Sequence, residues 1–132
     1  MKRILLFATA LVLFAALTPA QDNIPEPTQN PNAIFRLFRT QNIYALLKLD
    51  TRTGQIWQVQ WGDEQHRFVL PINRTILLPP GSTEHPTILE PGRFTLSPTA
   101  NIYTFLLLDQ KDGRTWQIQW GEDAQRFIVP IV

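Results

Sequence analysis

The polar residues with the most regular spacing in this chain are four glutamines. Gln58 and Gln60 sit inside Trp57-Gln58-Val59-Gln60-Trp61, and Gln117 and Gln119 sit inside Trp116-Gln117-Ile118-Gln119-Trp120. In an extended strand alternate side chains share a face, so each Gln pair points to one side and each Trp pair to the other. Tyr44 and Tyr103 precede these segments at the same separation. Amides beside aromatic rings suit the hydroxyls and C–H faces of a carbohydrate, or an extended peptide. The candidate ligand-binding residues are Tyr44, Gln58, Gln60, Tyr103, Phe105, Gln117 and Gln119.

No set of residues for catalysis stands out. Asp50 and Asp109 could be read as a pair of hydrolytic acids, but each opens a turn ending in glycine, where Asp caps backbone amides. His66 and His85 have no Ser-His-acid set around them. Asp63-Glu64 and Glu122-Asp123 match no calcium loop and read as solvated hairpin tips. Asn73-Arg74-Thr75 matches the glycosylation pattern, here by chance. With no cysteine there are no disulfides and no thiolate metal sites. The expectation is a protein that is not an enzyme, with no cofactor and no metal.

The 132 residues favour one compact unit. Lys2 and Arg3, the apolar run Ile4 to Leu17, and Thr18-Pro19-Ala20 have the layout of a secretory signal peptide cleaved before Gln21. The run is shorter than the roughly 17 to 25 residues that a membrane span needs. Loss of Lys2 and Arg3 from twelve basic residues leaves ten against eleven acidic ones. That balance offers nothing to nucleic acid. The expected location is the periplasm, the cell surface or the medium.

At an offset of 59 residues the sequence overlays itself without a gap, so that Asn42-Ile43-Tyr44 meets Asn101-Ile102-Tyr103 and Trp57 meets Trp116. About half of the overlaid positions are identical. A repeat of this length is one supersecondary unit that cannot bury its own apolar face. The expected organisation is a signal peptide (1–20), a flexible arm (21–33), β repeat 1 (34–72), a Pro-rich linker (73–92) and β repeat 2 (93–132), the repeats forming one unit. Ile76-Leu77-Leu78 is apolar enough to lie down as an extra edge segment.

After the leader no window has helical periodicity. Each repeat offers four β-type runs separated by Gly, Asp, Asn and Pro: 34–39, 43–49, 55–61 and 67–72, then 93–97, 102–108, 114–120 and 126–131. Reading the central hairpin as a three-residue loop with a G1 bulge sets Leu49 opposite Trp57, Leu47 opposite Val59 and Ala45 opposite Trp61. Leu108 then faces Trp116, Leu106 faces Ile118 and Thr104 faces Trp120. The predicted fold is all-β: two tandem antiparallel meanders whose Trp-Leu faces pack on each other with pseudo-twofold symmetry, as a sandwich or partly closed barrel.

The pattern Asn-Ile-Tyr-x-x-Leu-x-Leu-Asp-x-x-x-Gly-x-x-Trp-Gln-x-Gln-Trp resembles the repeat of small exported proteins of Gram-negative bacteria that lack an assigned function. The likeness covers Phe35 to Ile72 and Phe94 to Ile131 and implies no activity. Asp50, Thr53, Gly54 and Trp57 are also similar to the turn of quinoprotein-type β-propeller repeats, but two copies cannot close a propeller and no cofactor is carried over. The functional expectation is a non-catalytic binding or interaction module for a glycan, a peptide or an envelope protein. The alternative is a structural protein acting as a homodimer.

Overall fold

The computed structural model describes residues 29–78, 81 and 89–132. The leader, most of the N-terminal arm, Pro79-Pro80 and the stretch containing His85 lie outside the described residues. Eight strands follow in order: β1 (Phe35–Arg39), β2 (Ala45–Asp50), β3 (Ile56–Gln60), β4 (Phe68–Pro71), β5 (Phe94–Pro98), β6 (Thr104–Asp109), β7 (Thr115–Gln119) and β8 (Phe127–Ile131). They make two antiparallel four-stranded meanders, β1-β2-β3-β4 and β5-β6-β7-β8. One 3-10 turn, Asp123–Gln125, is the only helical element among the described residues. The two sheets pack as a sandwich around one core, and neither closes into a barrel.

The central hairpins differ from the expected register by one residue. Leu49 pairs with Ile56, Lys48 with Trp57 and Leu47 with Gln58; Leu108 pairs with Thr115, Leu107 with Trp116 and Leu106 with Gln117. The reason is the loop. Asp50 N–H donates to the Gln55 carbonyl (2.9 Å), so four residues, Thr51 to Gly54, close the turn instead of three. The Gly54 N–H reaches back to the Asp50 carbonyl (3.0 Å), and the Asp50 carboxylate accepts from the Arg52 N–H (2.9 Å). A slip of one residue transfers every side chain to the other face. The tryptophans therefore share a face with Leu46 and Lys48 rather than with Leu47 and Leu49.

This changes how the repeats meet. Call face A the side carrying Leu47, Leu49, Ile56 and Gln58, and face B the side carrying Phe35, Leu37, Trp57 and Val59. In sheet 1 face A is buried: Leu47, Leu49 and Ile56 are fully covered. In sheet 2 face B is buried: Phe94, Leu96, Phe105, Leu107, Trp116, Ile118 and Trp120 all lie in the core. Unlike faces meet, head to tail. The expected pairing of like faces about a pseudo-twofold axis is not what the chain adopts. Two of the four indoles, Trp116 and Trp120, are buried; Trp57 is half-buried and Trp61 is exposed.

The segment between the sheets is tied down at its start. Asn73 is buried; its Oδ1 accepts from the Ile56 N–H (2.7 Å) and its Nδ2 donates to the Gly54 carbonyl (3.2 Å). The amide of the Asn73-Arg74-Thr75 pattern is thus a structural staple. Leu77 packs on the core, and its N–H donates to the Thr53 carbonyl (3.0 Å). Of Ile76-Leu77-Leu78, expected as an edge segment, Leu77 packs on the core and the Leu78 carbonyl accepts from Arg114 Nη1 (2.9 Å), but none joins a sheet.

Candidate functional site

Stacking unlike faces opens a cleft at the junction of the sheets. It is about 460 Å³ in volume and draws on Asn42, Gln58, Gln60 and Phe68 of the first repeat, and on Tyr103, Trp120, Gly121, Glu122, Gln125 and Arg126 of the second. Gln58 forms its floor. This side chain is buried, and its Oε1 accepts from the Gly121 N–H across the junction (3.2 Å). Gln60, two residues along β3, is half-buried, and its side chain makes no hydrogen bond among the described residues, so its amide is free for a ligand.

The aromatic wall is held by a motif that both repeats share. Asn101 Oδ1 accepts from the Tyr103 N–H (2.9 Å), fixing the turn into β6. The Trp120 N–H and its indole Nε1 donate to the Tyr103 and Ile102 carbonyls, both at 3.0 Å. The rings of Tyr103 and Trp120 meet at 5.3 Å with a 54° tilt, within the contact distance of aromatic pairs. On the far rim Arg126 donates from Nε to the Gly121 carbonyl (2.9 Å) and from Nη1 to Asp123 (3.0 Å).

Of the residues singled out in the sequence, the structure brings together Gln58, Gln60 and Tyr103. Gln117 and Gln119 lie on face A of sheet 2, on the opposite surface of the sandwich. Tyr44 stands exposed beside Trp61, with ring centroids 5.3 Å apart. Phe105 belongs to the core. Asn42, Phe68 and the Gly121 to Arg126 loop were not foreseen, because they join the site only through the inter-sheet relationship. The repeated Asn-Ile-Tyr triplet was the available signal for Asn42.

The acids serve the hairpin turns. Asp50 Oδ2 pairs with Arg52 Nη2 at 2.9 Å. Asp109 Oδ2 takes Arg93 Nη2 at 2.7 Å and Arg114 Nη2 at 3.3 Å, while its Oδ1 accepts from the Lys111 N–H at 2.9 Å. These bonds to Asp50 and Asp109 hold the Arg52 and Arg93 guanidiniums even more firmly protonated than usual, against the opposing pull of burial. His66 Nδ1 contacts Asp63 at 2.5 Å on an exposed loop. No group of three or more metal-ligating side chains occurs among the described residues, and no helix among them is long and apolar enough to cross a membrane.

The geometry defines a class: a two-repeat β protein with a polar-aromatic cleft where its sheets abut. Comparison with protein families, curated proteins and solved structures returns no significant match.

Proposed function

We propose that this protein is an exported, non-catalytic binding module for a neutral, hydroxyl-rich ligand of the glycan type. The observation that carries the reading is the cleft itself. Its volume falls in the range of small-molecule sites, and it pairs a free amide on Gln60 with the exposed ring of Tyr103, which the buried Trp120 backs. Amide donors and acceptors match hydroxyls, and an exposed tyrosine ring matches a sugar C–H face. The leader-like N-terminus supports export to the periplasm, the cell surface or the medium. The commitment of Asp50 and Asp109 to their turns supports a non-catalytic role.

A glycan array probed with the chain from Gln21 onward, followed by titration of any hit, tests the reading. Binding should shift Trp120 emission and weaken at least about tenfold in Gln60→Ala and in Tyr103→Ala, as loss of one or two ligand contacts implies. Gln119→Ala, on the opposite surface, should bind normally in dilute solution, where the chain is monomeric. Capture of peptides instead of glycans, or glycan binding indifferent to both cleft variants, would sink it.

A further inference from the structure

The internal junction has two halves, and the molecule displays an unused copy of each. Face B of sheet 2 is covered, while face B of sheet 1 is open: Phe94 is fully buried, whereas its counterpart Phe35 is 53% exposed. Face A of sheet 1 does the covering, while face A of sheet 2 carries half-buried and exposed residues with no other described sheet over it. There Leu106 and Leu108 stand where the first repeat has its fully buried Leu47 and Leu49. The polar contacts of the junction are duplicated as well. Gln58 of sheet 1 takes the Gly121 N–H, and the Thr51 carbonyl takes the Phe94 N–H (2.8 Å). Gln117, Gly62, Gln110 and Phe35 are the corresponding groups at the open ends.

From this duplication we infer that the protein associates head to tail with further copies of itself, face B of sheet 1 of one chain seating on face A of sheet 2 of the next. The occupant is a second copy because the chain already contains a working example of the same contact. Two unlike surfaces make a heterologous interface, which closes into a ring or extends as a filament, according to the rotation between neighbours. It does not stop at a twofold dimer. The open faces carry polar replacements, Lys48 where the core has Leu107 and Thr115 where it has Ile56. Those replacements weaken the intermolecular junction relative to the internal one and make assembly depend on concentration. Each junction also sets Gln117 and Gln119 of one chain against Tyr44 and Trp61 of the next, as Gln58 and Gln60 sit against Tyr103 and Trp120. Assembly thus multiplies the cleft, whatever the cleft binds.

The test uses two variants of the chain from Gln21 onward. Leu37→Glu spoils the open face B, and Leu106→Glu spoils the open face A. Light scattering across a wide concentration series should show wild-type mass rising above the monomer. Each variant alone should stay monomeric, and an equimolar mixture should form a two-chain complex from the one intact face on each partner. Circular dichroism and a cooperative melt establish that both variants fold. Val69→Lys, exposed on the same face as Leu37, replaces Leu37→Glu if that variant does not. Trp61 gives an independent readout, since its exposed indole should lose quencher access as wild type is concentrated and keep it in both variants. A wild type that remains monomeric overturns the inference. So does association broken by only one variant, as a twofold contact predicts, or a mixture that fails to associate.

Discussion

Trp61 and Trp120 make the same local bonds in opposite surroundings. Each indole N–H donates to a carbonyl at 3.0 Å, that of Ile43 or Ile102, and each ring meets a tyrosine at 5.3 Å. Yet Trp61 is 53% exposed and Trp120 only 2%. The repeat builds one local structure twice, and the stacking of unlike faces then gives the copies different roles. Trp120→Ala should destabilise the monomer by about 3–5 kcal/mol, the range for a large buried aromatic. Trp61→Ala, measured in dilute solution, should cost about 1 kcal/mol for the lost ring contact and exposed hydrogen bond. Denaturant melts of both variants check the difference. Equal costs would mean that Trp61 is covered within the single chain.

A second asymmetry concerns the glutamines. Gln58 supplies the acceptor for the Gly121 N–H at the sheet junction, whereas Gln117 lies on the open face. Gln58→Ala leaves that N–H without its partner and should cost about 1–3 kcal/mol. Gln117→Ala should change monomer stability by no more than about 0.5 kcal/mol. Melting of dilute samples separates the two, and hydrogen exchange at Gly121 should accelerate only in Gln58→Ala.

Asn73 offers a third check, because its amide joins the linker to β3. Asn73→Ala unpairs the Ile56 N–H and the Gly54 carbonyl together, so a loss of about 2 kcal/mol or more is expected from two partly or fully buried groups. Asn73→Asp keeps an acceptor for Ile56 but removes the donor to Gly54. It should therefore recover none of the Gly54 bond at neutral pH, where the new carboxylate faces that carbonyl. Thermal melts of the two variants against wild type decide whether this side chain staples the linker.

The eight strands and their order were legible in the sequence because β-type runs alternate with Gly, Asp, Asn and Pro, and the duplication let one copy corroborate the other. The register was not. Thr51-Arg52-Thr53-Gly54 is compatible with a three- or a four-residue loop, and only the pairing of Asp50 with Gln55 distinguishes them. Alternation favoured the three-residue loop, which keeps Lys48 beside Gln58 and Leu49 beside Trp57, but Leu46, Leu47 and Leu49 put apolar residues on both sides of β2 and so leave the observed register open. That ambiguity has a physical origin: in a sheet that uses both faces for contact, neither face needs to be polar. For the same reason only Gln58, Gln60 and Tyr103 of the candidate residues converge. The cleft is a product of how two sheets abut, which no single repeat encodes.

Gly54 and Gly113 test whether the first hairpin loop serves the junction. Both have positive φ, 75° and 80°, so an alanine at either place costs about 1–2 kcal/mol in backbone strain. A Cβ on Gly54 would also lie 3.0 Å from Leu77 Cδ1 and 3.3 Å from the buried Phe94 ring, while a Cβ on Gly113 meets nothing within 4 Å. Gly54→Ala should therefore melt clearly below Gly113→Ala. Indistinguishable melting temperatures would mean that the loop can move away from the second sheet without loss.

Acid should weaken the second hairpin through Asp112. Asp112 accepts from the Arg114 N–H (3.0 Å) and Nε (2.8 Å), and Arg93 Nη2 lies 3.3 Å away. Burial works to raise its pKa, but the bonds from Arg114 and the two positive charges outweigh it and hold the carboxyl below its ordinary value of 3.8. A carboxyl that is more acidic folded than unfolded adds stability above the ordinary value, and this contribution disappears as pH falls through the folded value. The melting temperature of wild type should thus fall more steeply than that of Asp112→Asn as pH is lowered from about 6 to about 3. The first hairpin has Thr53 at the corresponding position, so the Asp112 contribution has no counterpart there. Parallel pH profiles for wild type and Asp112→Asn would show that the Arg114–Asp112 contact contributes nothing to folding.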